Sequence, residues 1–235
     1  MKYISGLAGD SLLKSPDHVF GCRIELILFK RPSEKQQIPL QDGEAVQTIA
    51  GHVLGFHGCE REVGEAIIAG EDIRLSENAY DWLGHGAYFW ENSPSRALQW
   101  ASDPRHNIKE PFVLGAVILM GNCLDLTDTG CLESIRIAFD ALQEMAEVAG
   151  MPLPTNEQGY PGDGDKIKRA LDCLVINFTH TYRRDEGLPP FDTVRAPWPE
   201  GDPLYPGACI RKLTHIQICV CDPKKSILGY FRPRV

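Results

Sequence analysis

The chain has 235 residues, 43% hydrophobic and 24% charged, which is ordinary globular usage and excludes a disordered polymer. That length supports one well-packed domain, at most with an appendage. A formal net charge of −8 excludes wholesale capture of nucleic acid or anionic membrane, though not a local basic rim.

The opening run MKYISGLAGDSLLK has no long apolar core after its lysine, so no secretory signal is expected. No apolar stretch approaches a membrane span, and a cytoplasmic protein without membrane partners is the expectation. Cys22 to Phe29 (CRIELILF) is predicted as a strand, followed by the polar run RPSEKQQ. Val53 to Gly58 is apolar, bounded by glycine, and reads as a short buried strand. Arg61 to Ala69 carries Val63, Ala66 and Ile67 at the spacing of one helical face, with Gly70 at its end.

The glycine-punctuated segment DWLGHGAYFWENS reads as an irregular loop entering a helix from Pro94 to Ala101, with Ser93 as N-cap. Phe112 to Leu119 and Cys123 to Leu126 are predicted strands. Leu132 to Ala149 and Asp165 to Phe178 are predicted amphipathic helices. Arg183 to Arg211, rich in Pro, Gly and charge, reads as one long loop. Two strands, HIQICVC and SILGYF, close the chain around the turn DPKK. Strands early and late with helices between predict an α+β fold in one domain over 1–235.

Eight cysteines invite a disulfide or metal reading, so their spacing decides. No C-x-x-C pair and no zinc-finger arrangement of Cys and His is present, and several thiols sit in apolar runs. Reduced core thiols and no metal are expected.

Three segments carry candidate chemistry. The first is Gly55-Phe56-His57-Gly58-Cys59, where glycine beside the histidine lets a ligand approach the backbone. The second is Gly84-His85-Gly86-Ala87-Tyr88-Phe89-Trp90-Glu91, leading into Arg96-Ala97-Leu98-Gln99-Trp100-Ala101. The third is His215 to Pro223, in which Gln217 alternates with Ile216 and Ile218 and so faces away from them.

Taken in this order, the chain resembles the NAD-dependent ADP-ribosyltransferases of the poly(ADP-ribose) polymerase and diphtheria-toxin branch. That branch reads His-Gly at a strand end, then Gly-x-Gly-(Ile/Val)-Tyr-Phe, a helix, and a late-strand glutamate before an Asp-Pro turn. His57-Gly58, Gly84-x-Gly86-Ala87-Tyr88-Phe89, and Gln217 before Asp222-Pro223 match it. The match covers roughly 53–101 and 206–233, leaving residues 1–50 as an extension outside it.

The resemblance implies a split β-sheet core with flanking helices and NAD as substrate. It implies that His57 bonds a ribose hydroxyl and that the Gly58 backbone binds the nicotinamide amide. Tyr88 would stack on the nicotinamide ring, with His85 nearby, and Gln217 would stand at the catalytic glutamate position. Trp100 is the nearest aromatic to a second stacking position, where the chain has Gln99. Arg96 stands near a position usually held by a small hydroxyl residue. The loop 196–213 would face a macromolecular acceptor, protein or RNA/DNA.

Bond cleavage at the nicotinamide ribose creates a cation-like centre, which oriented dipoles or a carboxylate stabilise. An amide at 217 hydrogen-bonds but neither ionises nor takes a proton, so single transfer is expected rather than polymer growth. Glu91, Glu200 and Asp202 are the carboxylates that could supply the missing charge, Glu91 foremost because it follows Tyr88. Arg183, Arg184, Arg195, Arg211 and Lys212 could form a basic rim for a phosphate backbone. A mono-ADP-ribosyltransferase of bacterial toxin or defence type, with an antitoxin partner, is the expectation by analogy. An NAD glycohydrolase and a catalytically silent NAD- or ADP-ribose-binding module are the alternatives.

Overall fold

A computed structural model describes residues 48–159 and 165–235. The strand predicted at Cys22 to Phe29 lies outside the described residues, as does nearly all of the extension before residue 51.

Six strands share one sheet in the order β1-β2-β7-β6-β3-β8. They are β1 (Thr48–Glu60), β2 (Ala87–Glu91), β3 (Pro111–Asp125), β6 (Thr193–Trp198), β7 (His215–Val220) and β8 (Ile227–Phe231). All pairings are antiparallel except β3 with β6. A two-stranded ribbon, β4 (Asn156–Glu157) with β5 (Lys168–Arg169), lies outside it. The helices are α1 (Arg61–Ile68), α2 (Pro94–Ala101), α3 (Thr129–Ala149), α4 (Ala170–Asp185) and the single turn α5 (Pro223–Ser226). The protein is thus mixed α/β with helices flanking a mostly antiparallel sheet.

Because β1 also pairs with β3 from Thr48↔Asn122 to Glu60↔Pro111, the sheet closes on itself. One half is β1, β3 and β8; the other is β2, β7 and β6. The halves meet through Gly55↔Glu91 and Phe56↔Trp90 at one junction, and through Cys123↔Thr193 to Asp125↔Arg195 at the other. The largest core draws on both halves, with Phe89, Leu114, Ile118, Met120, Ile218 and Val220 buried beside Ile67 of α1. On the opposite face Tyr88, Cys219, Val194 and Leu124 pack with Ile176 of α4. Phe56, Trp90 and Val113 pack with Ala97 and Trp100 of α2. Burying each such large side chain contributes roughly 1.5–3 kcal/mol, so both faces hold the sheet.

Several expected boundaries move. β2 occupies the cluster read as an irregular loop, because Ala87 to Trp90 are buried on both faces and show no alternation. β3 is one strand through the break expected at Gly121, whose φ of 59° lets the chain kink without ending the ladder. β6 lies inside the segment read as a long loop. Its Pro197 falls beyond the three pairs with β3, where the strand has one neighbour and tolerates a missing N–H. α3 starts three residues before Leu132 because Asp128 caps it, accepting from the N–H groups of Gly130 and Cys131. α4 starts at Ala170 rather than Asp165, and continues to Asp185. α2 has the expected span, but Ser93 makes no side-chain capping bond, leaving Pro94 to set the start. The seven described cysteines are free thiols.

Candidate functional site

His57 stands where β1 parts from β2. The ladder holds at Gly55↔Glu91 and Phe56↔Trp90, and one residue on, the His57 ring Nδ1–H donates to the Tyr88 carbonyl at 2.9 Å. The imidazole thereby replaces the next ladder bond. Burial lowers its pKa, and the Tyr88 carbonyl opposes that by favouring the protonated ring. Strand alternation puts His57 on the face of Phe89, whose ring centroid lies 5.8 Å away. Phe56, Trp90 and Gln217, mutually opposite across β1, β2 and β7, lie on the other face.

Tyr88 shares the Gln217 face but is built into the core. Its hydroxyl donates to the Gly84 carbonyl at 2.7 Å and accepts the Leu83 N–H at 2.8 Å. Burial pushes the phenol pKa well above its ordinary value. The hydroxyl thus closes the turn before β2. Gly84 holds φ +77°, and a Cβ at Gly86 would lie 2.5 Å from Cys219 Sγ, so both glycines are required by this turn. His85 between them is exposed, its backbone N–H donating to Asn177 Oδ1 at 3.1 Å.

Gln217 is buried on β7 between Trp90 and Ala196. Beyond it on the same face is a cluster of aromatic and charged side chains. His215 lies 6.3 Å from Trp90 and 6.4 Å from Trp82 between ring centroids, and Trp82 meets Trp198 at 4.8 Å. The guanidinium of Arg96 covers Trp90, and that of Arg169 lies 4.1 Å from the Trp198 centroid and 4.6 Å from that of Trp82. Glu200, from the β6–β7 connection, bonds Arg96 at 3.0 Å and sits 3.6 Å from His215 Nδ1. That carboxylate does not hold a proton on His215. Burial is the larger effect and pushes its pKa down to about 4, while the Leu213 carbonyl takes the Nδ1–H at 2.6 Å. Desolvation likewise lowers the Arg169 pKa.

Gly58 meets α2 rather than an open surface on its Cα side: a Cβ there would lie 2.5 Å from the Ala97 carbonyl oxygen and 3.2 Å from Trp100. Trp100 is buried against that strand, stacked on His106 at 3.8 Å.

The remaining charges have partners. Glu91 takes Arg195 in a bidentate pair at 2.6 and 3.2 Å, and Asp125 takes the third nitrogen at 3.1 Å. Asp202 is exposed and pairs with Lys212. Arg211 bonds Asp165, and Arg183 lies over Phe191. Of the five cations expected as a basic rim, Arg195, Arg211 and Arg183 are held within the fold, Lys212 pairs at the surface with exposed Asp202, and Arg184 has no carboxylate or ring of this kind among the described residues. No cluster of three or more His, Cys, Asp or Glu suited to a metal occurs among the described residues. No described helix is long and apolar enough to cross a membrane. An open groove lined by Glu71, Asp72, Cys221, Lys224 and Tyr230 holds none of His57, Tyr88 or Gln217.

No family model, curated protein or solved structure matches the chain. The structure groups Tyr88, Gln217 and the Trp90–His215 cluster on one face of the sheet and places the His57 side chain on the other, linked to them only through the Tyr88 carbonyl, so the three expected site residues do not line one face. Sequence reasoning missed the roles of Trp82, Arg169, Trp198 and His215. One signal was available: His215 stands two residues from Gln217 on a strand, so period-two alternation puts both on one face.

Proposed function

We propose that the chain binds NAD, cleaves its nicotinamide–ribose bond and transfers ADP-ribose to a macromolecular acceptor. The observation that supports this best is the convergence of three distant segments at one sheet junction. Tyr88 and Gln217 share a face on adjacent strands, and the His57 ring is locked to the Tyr88 carbonyl where β1 leaves β2. The sheet in two joined halves is in keeping with an ADP-ribosyltransferase-like split core. In this reading NAD lies across the parting of β1 and β2, because His57 and Gln217 stand on opposite faces and a ligand that touches both must pass between the strands. His57, with Nδ1 donating to a carbonyl, keeps Nε2 for a ribose hydroxyl. Tyr88 fixes the turn beside the nicotinamide, and the Gln217 carbonyl dipole faces the developing ribose cation.

The acceptor reading draws on the β6–β7 connection, which carries Leu204, Tyr205 and Ile210 more than half exposed just before β7. An apolar tip suits a docked macromolecule and has no use when water is the acceptor. The pairing of Arg195, Arg211 and Lys212 with carboxylates favours a protein acceptor over a nucleic-acid backbone. A toxin or defence role, with an antitoxin partner, rests on the family analogy alone.

Gln217 also favours a second reading, a silent NAD- or ADP-ribose-binding module, because a neutral amide stands where a carboxylate is expected. Release of nicotinamide from NAD by wild type, Gln217→Ala and Gln217→Glu separates the two. Transfer chemistry predicts a fall of about 10²–10³ for Gln217→Ala with NAD binding retained, as for loss of one oriented dipole. It predicts a rise in NAD hydrolysis for the nearly isosteric Gln217→Glu. Equal background release from all three proteins would remove the enzyme and leave the binding module.

A further inference from the structure

Five buried side-chain nitrogens lack a hydrogen-bond partner among the described residues: Trp90 Nε1, Arg96 Nε, Arg169 Nε, Trp198 Nε1 and His215 Nε2. All five belong to the one cluster around His215, linked ring to ring and ring to guanidinium. Buried polar atoms are nearly always satisfied, and each failure costs about 1–3 kcal/mol. Scattered singly they would be packing defects. Gathered in one place on the Gln217 face, they describe a site whose partner is a separate molecule.

The chemistry of the set defines that partner. Four of the five nitrogens carry N–H groups that only donate, two of them on arginines. His215 is the exception. With Nδ1–H given to Leu213, Nε2 of the neutral ring is a bare acceptor. Several donors, two permanent positive charges and one acceptor together fit a phosphate carrying a single proton. Its oxygens take the N–H groups, and its P–OH donates to His215 Nε2. An ionised carboxylate has no proton to give His215 Nε2, and Glu200 as placed does not satisfy the donors either. It bonds Arg96 and approaches His215, yet leaves Arg96 Nε without a partner.

We propose that the Trp90, Arg96, Arg169, Trp198 and His215 cluster binds a phosphate group, and that Glu200 occupies this site until the phosphate displaces it. Glu200 can leave because it sits on the 199–214 connection rather than on a strand. The connection is a ribbon of its own, with Leu213 N–H donating to the Glu200 carbonyl and a bridge at Pro203↔Arg211. Displacement of the carboxylate therefore moves the segment that carries the exposed Leu204, Tyr205 and Ile210. The site stands on the nitrogen set and does not need the NAD reading. Free phosphate or pyrophosphate supplies that P–OH itself; the pyrophosphate bridge of NAD is a fully ionised diester, so if NAD is the substrate a neighbouring sugar hydroxyl gives His215 Nε2 its proton instead.

Inorganic pyrophosphate is the probe, and binding is read from thermal unfolding and from tryptophan emission. Emission is a local reporter, because all four tryptophans of the chain lie in this cluster or touch it. Wild type should show a dose-dependent rise in Tm and a change in emission. Glu200→Gln should lower Tm without ligand and gain more from pyrophosphate than wild type, since the internal competitor is gone. Trp198→Phe keeps an aromatic ring against Arg169 while deleting the N–H donor with the five-membered ring that carries it, and should weaken binding roughly tenfold or more; Arg96→Gln should weaken it further. Competition by ADP-ribose would identify a dinucleotide as the source, and its absence would identify the free anion. Failure of pyrophosphate to bind wild type and Glu200→Gln overturns the proposal, as does binding that Trp198→Phe and Arg96→Gln leave unchanged. Pyrophosphate binding without nicotinamide release would remove the NAD reading and keep this site. Nicotinamide release without pyrophosphate binding would do the reverse.

Discussion

Replacing Tyr88 by phenylalanine deletes one oxygen atom and leaves the ring in place, so no cavity forms. The oxygen accepts the Leu83 N–H at 2.8 Å and donates to the Gly84 carbonyl at 2.7 Å. Leu83 is fully buried, so its amide has no water to turn to, and an orphaned buried donor costs about 1–3 kcal/mol. The Gly84 carbonyl loses less, because the Cys219 thiol remains within 3.8 Å of it as a weak donor. The expected loss is therefore about 2–3 kcal/mol. Urea unfolding should show it as a lower midpoint at constant slope. An aromatic that served only to stack on a ligand would give a loss under roughly 0.5 kcal/mol, the range of ordinary surface substitutions. That result would refute the argument that Tyr88 closes its own turn, and would return it to the role of a free stacking residue.

Gly58→Ala should destabilise by about 1–3 kcal/mol, since the new methyl meets the backbone carbonyl of Ala97 at 2.5 Å and α2 must shift away from β1. Unfolding by urea with unchanged stability would show that α2 is not held against Gly58. Stability should also fall as pH drops from about 6.5 toward 4. Burial lowers the pKa of His57, and those of His106 and His215 to about 4, so the unfolded chain takes up these protons first. His215 alone accounts for a loss on the order of 3 kcal/mol across that window. Replacing it by glutamine should flatten the pH dependence of the urea midpoint; an unchanged profile would mean that His215 is not held neutral.

Elements with a single clear signal were legible in the sequence. Pro94 marked the start of α2, and the alternation of Gln217 with Ile216 and Ile218 marked β7 and the face that Gln217 takes. Elements whose signals compete were not. Ala87 to Trp90 are buried on both faces, so β2 lacks a period, and the glycines before it suggest a loop. β6 hides in a segment whose proline and charge outweigh six residues of strand. The site is legible only as three motifs. The pair that joins α2 to the β6–β7 connection, Arg96 with Glu200, spans 104 residues and leaves no local trace.

The two buried arginine pairs on the opposite faces of this sheet are not equivalent, and the difference separates scaffold from site. Arg195 meets two carboxylates, with Nε and both terminal nitrogens bonded to Glu91 or Asp125. Two negative charges against one positive leave no reason for a further anion to enter, and removing either carboxylate would weaken the fold. Arg96 meets one carboxylate, through one terminal nitrogen, while its Nε remains without a partner. A guanidinium buried only to stabilise the fold would be expected to have its N–H groups satisfied, as those of Arg195 are. The two pairs also differ in attachment: Glu91 and Asp125 lie on strands, whereas Glu200 lies on a connection. Saturation and attachment thus point the same way. Arg195 ties β2, β3 and β6 together, and Arg96 holds a carboxylate that a better acceptor can replace.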